Sequence, residues 1–272
     1  MNAKTDILEE HKIIICIIAR LKSTRLPNKV IKKIKNETII EHLINKLKNI
    51  KHKNIEIALC TTVKEEDDQL EKIAIKNNIH CIRGSVLSVV DRLLEAATKT
   101  KADTIVRVTG DNIFTDPSLL EKLILEHLAE DAEYSRIENI PVGVTAEVIN
   151  HQVLKNCFEE NNKEESEYMT LHLYQPKKYK VLVLLSEKSY EDINLSIDTP
   201  NDFSRTMNIF NYLEEAYSIV DVINIIKEHN IAYSKINTES NIKLIDKVIT
   251  HKEYKQYLLQ LRKESITKSI KI

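Results

Sequence analysis

Ile13-Ile14-Ile15-Cys16-Ile17-Ile18-Ala19-Arg20-Leu21-Lys22-Ser23-Thr24-Arg25-Leu26-Pro27-Asn28-Lys29 is the stretch on which the reading of this chain turns. Its first seven residues are an unbroken apolar run, mostly β-branched, suited to a strand buried on both faces. The chemistry then changes abruptly. Arg20, Lys22, Arg25 and Lys29 put four cations into ten residues, with the hydroxyls of Ser23 and Thr24 between them. A loop of this kind behind a buried strand offers the charged and hydroxyl donors that a triphosphate needs. Pro27 fixes its own φ and restricts Leu26, which favours one loop shape. The same cations also suit a solvated basic loop facing water.

Outward from this stretch, strand and helix patterns alternate. Residues 37–50 carry Ile40, Leu43, Ile44, Leu47 and Ile50 at helical spacing, and 55–61 read as the next strand. Residues 65–76 are helical, with Leu70, Ile73 and Ala74 on one face. Strands at 79–82 and 104–108 flank a helix through Val90, Leu93, Leu94 and Ala97. The alternation predicts an α/β fold with a parallel sheet covered by helices on both sides. Ligands of such sheets bind beyond the carboxyl ends of the strands. The loops after Ala19, Cys60, Ile82 and Val108 are therefore the candidate site.

Farther on, 144–149 and 180–185 read as strands, and 151–160, 167–173 and 202–213 as helices. Residues 241–272 read as an amphipathic helical segment through Val248, Tyr254, Leu258 and Leu261. No linker rich in Pro, Gly or Ser and no internal repeat occurs. One domain over 1–235 with a helical extension over 236–272 is the expected organisation.

Composition excludes several classes. The 272 residues hold 40 Lys and Arg against 41 Asp and Glu, so no basic excess exists to bind nucleic acid. The three glycines, Gly84, Gly110 and Gly143, lie too far apart to write a P-loop or a G-x-G-x-x-G dinucleotide turn. Cys16, Cys60, Cys81 and Cys157 form no C-x-x-C pair, and the first three sit in apolar runs as buried free thiols. With no apolar leader and no run of eighteen apolar residues, no membrane segment is expected and the expected location is cytoplasmic.

Other chemistry clusters at predicted strand ends. In Thr109-Gly110-Asp111, Gly110 permits a tight turn that leaves Asp111 at the strand's carboxyl edge, where a carboxylate suits Mg²⁺ shared with phosphates. Asp116-Pro117 reads as a helix N-cap followed by proline at the first helical position. Asp198 follows Ile193, Leu195 and Ile197 and so sits at a further strand end, whereas Asp202 reads as a helix-start residue. Gly84 and Ser85 end one strand and open a helix, offering backbone N–H groups to a base or ribose. Asp91-Arg92 reads as an exposed ion pair. His172 reads as a helix-surface residue, with an acceptor contact as its alternative.

Taken in order, A-R-x-x-S-T-R-L-P-x-K, Thr61-Thr62, E-E-D-D, R-G-S, D-R, T-G-D and I-D-T-P-x-D resemble the cytidylyltransferases. The resemblance is to their spore-coat polysaccharide SpsF-like branch, related to CMP-Kdo and CMP-acylneuraminate synthetases, and spans roughly residues 13–211. It implies a Rossmann-like nucleotide-diphospho-sugar transferase fold: a mostly parallel sheet, with a β-hairpin excursion that helps form a homodimer. It implies Mg²⁺-dependent transfer of CMP from CTP to a sugar acid or related acceptor, releasing pyrophosphate, for surface polysaccharide or glycan synthesis. By position, Ala19, Arg20, Ser23, Arg25 and Lys29 match the triphosphate site. Thr61, Thr62, Arg83, Gly84 and Ser85 fall where the cytidine is held, and Asp111 and Asp198 match the metal-binding aspartates. Arg20, Arg25, Lys29 and Asp111 are the implied catalytic set.

Departures concern the acceptor side more than the nucleotide. Ser166 and Tyr168 stand where relatives carry Arg and His. Asn28 replaces a common glycine and is the other residue that best accepts a left-handed backbone. A GT-A-like glycosyltransferase would share the fold, but Asp111-Asn112-Ile113 lacks the second acid of a D-x-D motif. A non-catalytic nucleotide-binding relative is the other alternative, against which the two aspartates beside a cationic loop argue.

Overall fold

The apolar run at the start becomes β1 (Ile13–Ile18), buried on both faces because parallel strands flank it and helices cover it. A computed structural model of the chain describes residues 7–144, 146–161, 169–233, 241–243 and 248–272. After β1 come a small hairpin of β2 (Lys33–Ile34) and β3 (Glu37–Thr38), then α1 (Ile39–Leu47). The alternation continues through β4 (Ile55–Thr62), α2 (Asp68–Lys76), β5 (His80–Gly84), α3 (Val89–Thr100) and β6 (Thr104–Thr109). Next are α4 (Pro117–Ala129), β7 (Tyr134–Glu138), β8 (Ala146–Asn150), α5 (His151–Glu160), α6 (Met169–Leu173) and β9 (Val181–Ser186). The chain finishes with α7 (Pro200–Phe210), α8 (Ile219–Glu228), a hairpin of β10 (Asn241–Lys243) and β11 (Val248–Thr250), α9 (His251–Glu264) and β12 (Ile266–Ile270).

The main sheet has eight strands in the order β12-β9-β7-β8-β6-β1-β4-β5. Only β8 runs against its neighbours. Alternation along β1 splits the core into two layers. Ile13, Ile15 and Ile17 pack with Ile40, Leu43, Leu120 and Leu123 of α1 and α4. Ile14 and Cys16 pack on the other face with Leu93 and Ala97 of α3 and Leu154 of α5. This is the helix–sheet–helix arrangement expected from the sequence.

Local chemistry explains the helix starts. Thr38 and Glu41 form a reciprocal capping box at α1. Asp116 caps α4, with Pro117 at its first position, by accepting from Ser118 and Leu119 N–H. Its second oxygen accepts from Ile219 N–H at 2.8 Å and so ties α8 to the same point.

Four expectations need correction. Residues 241–272 are not one helix: only 251–264 are, and β12 returns to extend the main sheet beside β9. The stretch before Asp198 is extended but is not a strand; its one ladder contact is the isolated bridge between Val142 and Asn194. Ser85 does not open a helix, because four loop residues separate Gly84 from Val89. Arg92 is buried, not exposed. A further correction concerns the thiols: Cys81, expected to be buried, is half-buried, while Cys16, Cys60 and Cys157 are buried. Among the described residues no helix is long and apolar enough to cross a membrane. Ser166 and Tyr168 lie outside the described residues, and His172 is half-buried on α6.

Candidate active site

The loop after β1 folds back on itself through short-range bonds. Asn28 N–H donates to the Leu21 carbonyl at 3.3 Å, and Ser23 Oγ accepts from Leu26 N–H at 3.4 Å. Asn28 takes φ 56°, ψ 28°, the left-handed conformation that its side chain tolerates. Ala19, Leu21 and Leu26 are buried, while Arg20, Lys22 and Arg25 are exposed and Ser23 is half-buried. The loop is therefore nailed down by apolar residues beneath and cationic above.

A buried acid fixes it further. Leu21 N–H donates to Asp67 Oδ1 at 2.7 Å, and the hydroxyl of Thr62 donates to Asp67 Oδ2. Asp67, 1% exposed, thus clamps the first loop to the end of β4. Sequence reasoning placed E-E-D-D among the ordered motifs but gave Asp67 no role of its own. The available signal was spacing: Asp67, Leu70 and Ala74 fall on one helical face, and all three are buried.

Glycine matters at the end of β6 for room. A Cβ on Gly110 would stand 2.9 Å from Ala19 Cβ and 3.0 Å from Ile40 Cδ1. Gly110 N–H donates to the Ile18 carbonyl at 2.8 Å, so the turn presses against β1 and carries Asp111 over the cationic loop. There the Lys29 ammonium meets Asp111 Oδ2, and Asp198 Oδ1 at 3.0 Å. Arg25 Nη2 reaches the same Asp198 oxygen at 3.0 Å. Burial pulls the Lys29 pKa down, but Asp111 and Asp198 outweigh it and leave it above the ordinary lysine value.

Asp198 arrives from a braced loop. Arg205 donates to the Ser196 carbonyl at 2.8 Å and to Asp202 at 2.7 Å, while Asp202 accepts from Asp198 N–H at 3.2 Å. Gly143, at φ 86°, lets its segment press on this loop, since a Cβ there would stand 2.3 Å from Ser196 N. Sequence reasoning placed Asp202 at a helix start, and it caps α7 together with Thr199.

The remaining candidates line the neighbouring strand ends. Thr61 and Thr62 are fully buried, and among the described residues the Thr61 hydroxyl lacks a hydrogen-bond partner. Arg83 donates to the carbonyls of Thr62 and Lys64 and pairs with Asp68 and Glu71. It braces the β4 loop with its donors already engaged. Ser85 Oγ accepts from Ser88 N–H at 3.0 Å. The structure thus unites Arg25, Lys29, Asp111 and Asp198 in one cluster, keeps Arg20 and Ser23 on the same loop, and sets Gly84 and Ser85 at the next strand end. No group of three or more His, Cys, Asp or Glu is arranged to hold a metal among the described residues. Two carboxylates completed by phosphate oxygens are the arrangement Mg²⁺ ordinarily uses.

Known proteins share this architecture. A cytidylyltransferase from Leptospira borgpetersenii superposes with a TM-score of 0.74 at 27% identity, covering 84% of this chain and 99% of that one. A CMP:2-keto-3-deoxy-manno-octonic acid synthetase complexed with CTP has the same fold at a TM-score of 0.57 and 16% identity, covering 74% and 98%. The class is an α/β nucleotidyltransferase. Sequence narrows it. Residues 14–258 match the family described as cytidylyltransferase, and this chain belongs to that family. The spore coat polysaccharide biosynthesis protein SpsF of Bacillus subtilis is 32% identical over 199 residues, 70% of this chain and 83% of that protein. The family match runs well past residue 211, where the sequence resemblance was expected to fade, and into α9.

Proposed function

We propose that this chain joins CTP to a sugar acid or closely related acceptor, giving a CMP-linked product and pyrophosphate, with Mg²⁺ as its metal. The convergence of Arg25, Lys29, Asp111 and Asp198 on one point at the sheet's carboxyl edge carries this reading. The Lys29 ammonium between two carboxylates marks a position built for positive charge, and hard oxygen donors fit Mg²⁺. Asp111 and Asp198 would hold the ion. When bound, it polarises the phosphoryl group under attack.

The residues of the chain supply the rest. The rigid loop positions the triphosphate for in-line displacement, in which an acceptor oxygen attacks the α-phosphorus and the bond to the bridging oxygen breaks. Arg20, Arg25 and Lys29 neutralise charge on the departing pyrophosphate, and Ser23 adds a hydroxyl. Gly84 and Ser85 form the wall on which the cytidine rests, with Thr61, Thr62 and Arg83 bracing it from behind. The reading has the chain work as a cytoplasmic homodimer, with its catalytic and binding residues all within 1–235. The name of the SpsF relative supports a place in surface polysaccharide or glycan synthesis.

Incubation with each nucleoside triphosphate, Mg²⁺ and a panel of sugar acids, followed by pyrophosphate release, tests this directly. CTP should be preferred and should raise the melting temperature. Absence of both effects refutes the reading. Tighter binding of a UDP- or GDP-sugar than of CTP would instead favour a glycosyltransferase.

A further inference from the structure

Arg92 lies in the first turn of α3 and is 2% exposed. One guanidinium nitrogen, Nη1, donates to the Ser85 carbonyl, and Nε is buried without a hydrogen-bond partner among the described residues. Burial pulls the Arg92 pKa below the ordinary arginine value; Arg20 adds to this, while Cys60, Asp67 and Asp91 oppose it. Holding a cation in such a place is costly, and among the described residues no carboxylate is hydrogen-bonded to it to offset that cost.

Room for this side chain is made by Gly84. A Cβ there would stand 3.0 Å from Arg92 Cγ and 3.1 Å from Glu95 Oε2. The glycine of R-G-S therefore serves the arginine of D-R, eight positions later, by leaving space for its stem.

The inward turn of the Ser85 carbonyl fixes what the loop shows outside. A trans peptide is planar, with its C=O and N–H pointing in opposite directions, and no cis bond occurs in the described chain. With the Ser85 carbonyl drawn toward Arg92, the Val86 N–H points away from the guanidinium. Among the described residues that N–H has no hydrogen-bond partner. Ser85 Oγ accepts from Ser88 N–H, which leaves its proton free to donate as well. The loop at the end of β5 is thus a donor surface beside the end of β4.

Cytosine and uracil differ on the edge such a surface would meet. Cytosine carries acceptors at O2 and N3, whereas uracil carries a proton on N3 and would set donor against donor. We infer that Arg92, admitted by Gly84, is a positioning residue for base selection: it aims the Val86 N–H at the acceptor edge of cytosine and so favours CTP over UTP. Arg92 acts through the Ser85 peptide and does not itself touch the base. The inference rests on CTP being the substrate.

The test is equilibrium binding of CTP, UTP and inorganic triphosphate, with Mg²⁺, to the full chain and to Arg92→Met, Arg92→Lys, Gly84→Ala and the Met/Ala double variant. Arg92→Met should weaken CTP about tenfold, the scale of one well-made hydrogen bond, and leave UTP and triphosphate nearly unchanged. Gly84→Ala should do the same by displacing the arginine, and the double variant should be no worse than either single one. Arg92→Lys should recover part of the preference. An unchanged CTP-to-UTP ratio in Arg92→Met and Gly84→Ala overturns the assignment. So does loss of triphosphate binding in Arg92→Met, which would show the residue holding the whole edge. A wild-type chain that does not prefer CTP overturns the underlying reading, and shows it without any variant.

Discussion

Two clusters of charge lie on this sheet, and they are built in opposite ways. At the carboxyl edge, Arg25, Lys29, Asp111 and Asp198 meet through loops, and Arg25 is 66% exposed at its side chain. Deeper in the sheet, Arg107 of β6, Glu147 of β8 and Arg136 of β7 stand side by side in register on three adjacent strands. There Arg107 and the Tyr134 hydroxyl donate to Glu147 at 2.6 and 2.5 Å, while Tyr174 and Arg262 donate to Glu138 at 2.9 and 2.7 Å. Charges on loops can exchange one partner for another when phosphate arrives. Charges on strands, closed into a network, instead hold α9 against the sheet. The first cluster should therefore govern chemistry and the second stability.

The largest test of that contrast is Asp111→Asn. Turnover measured by pyrophosphate release should fall on the order of 10³-fold or more while the melting temperature stays close to wild type. A collapsed fold would erase the distinction between the clusters. Lys29→Met should lower kcat by about 10²–10³-fold, the scale of one lost charge-stabilising donor. Full activity in that variant would make the ammonium a bystander. Arg262→Met works on the other side: it removes one of two cations from Glu138, 5% exposed, leaving Arg136 at 3.3 Å, and should cost about 2 kcal/mol in denaturant unfolding. CTP affinity should be unchanged, and a loss of affinity at intact stability would break the comparison.

The smallest effect belongs to Glu41, beneath the nucleotide edge but structural in role. Burial pushes its pKa up, yet Lys76 and the Thr38 N–H and hydroxyl outweigh that and bring it to about 2. A depressed carboxylate pKa stabilises the fold above the ordinary value and loses that contribution as pH falls through the folded value. Glu41→Gln should therefore cost about 1 kcal/mol at neutral pH, the size of a lost cap, without altering turnover per folded molecule. The gap to wild type should close between pH 4.5 and about 2 in thermal melts. A gap that widened there would reverse the sign.

What could be read in advance followed from how each residue meets water. The β1 run is apolar throughout because both its faces are covered, and the loop behind it announced itself by composition. Asp111 was legible from Gly110 before it, and Asn28 from its tolerance of a left-handed backbone. β7 was not, because Ser135, Arg136 and Glu138 answer to partners inside the protein and mask the pattern of a buried strand. Ile266-Thr-Lys-Ser-Ile270 alternates too briefly to separate an edge strand from the end of a helix. Asp67 shows no role in the sequence and Arg92 reads there as exposed for a related reason: each bonds a backbone group distant from its own pattern, Leu21 N–H and the Ser85 carbonyl, which a sequence does not display.

The position of β12 has a consequence for how the chain is made. Leu182 of β9 pairs with Ile266, so one flank of β9 has its backbone groups unmatched until residues 266–270 have left the ribosome. Until then β9, with the run Val181-Leu-Val-Leu-Leu-Ser186, is an apolar strand with an open edge, the kind that pairs readily with a neighbouring nascent chain. Slow or interrupted synthesis across 187–265 prolongs that exposure, which places the hazard for this protein in the time before the sheet closes.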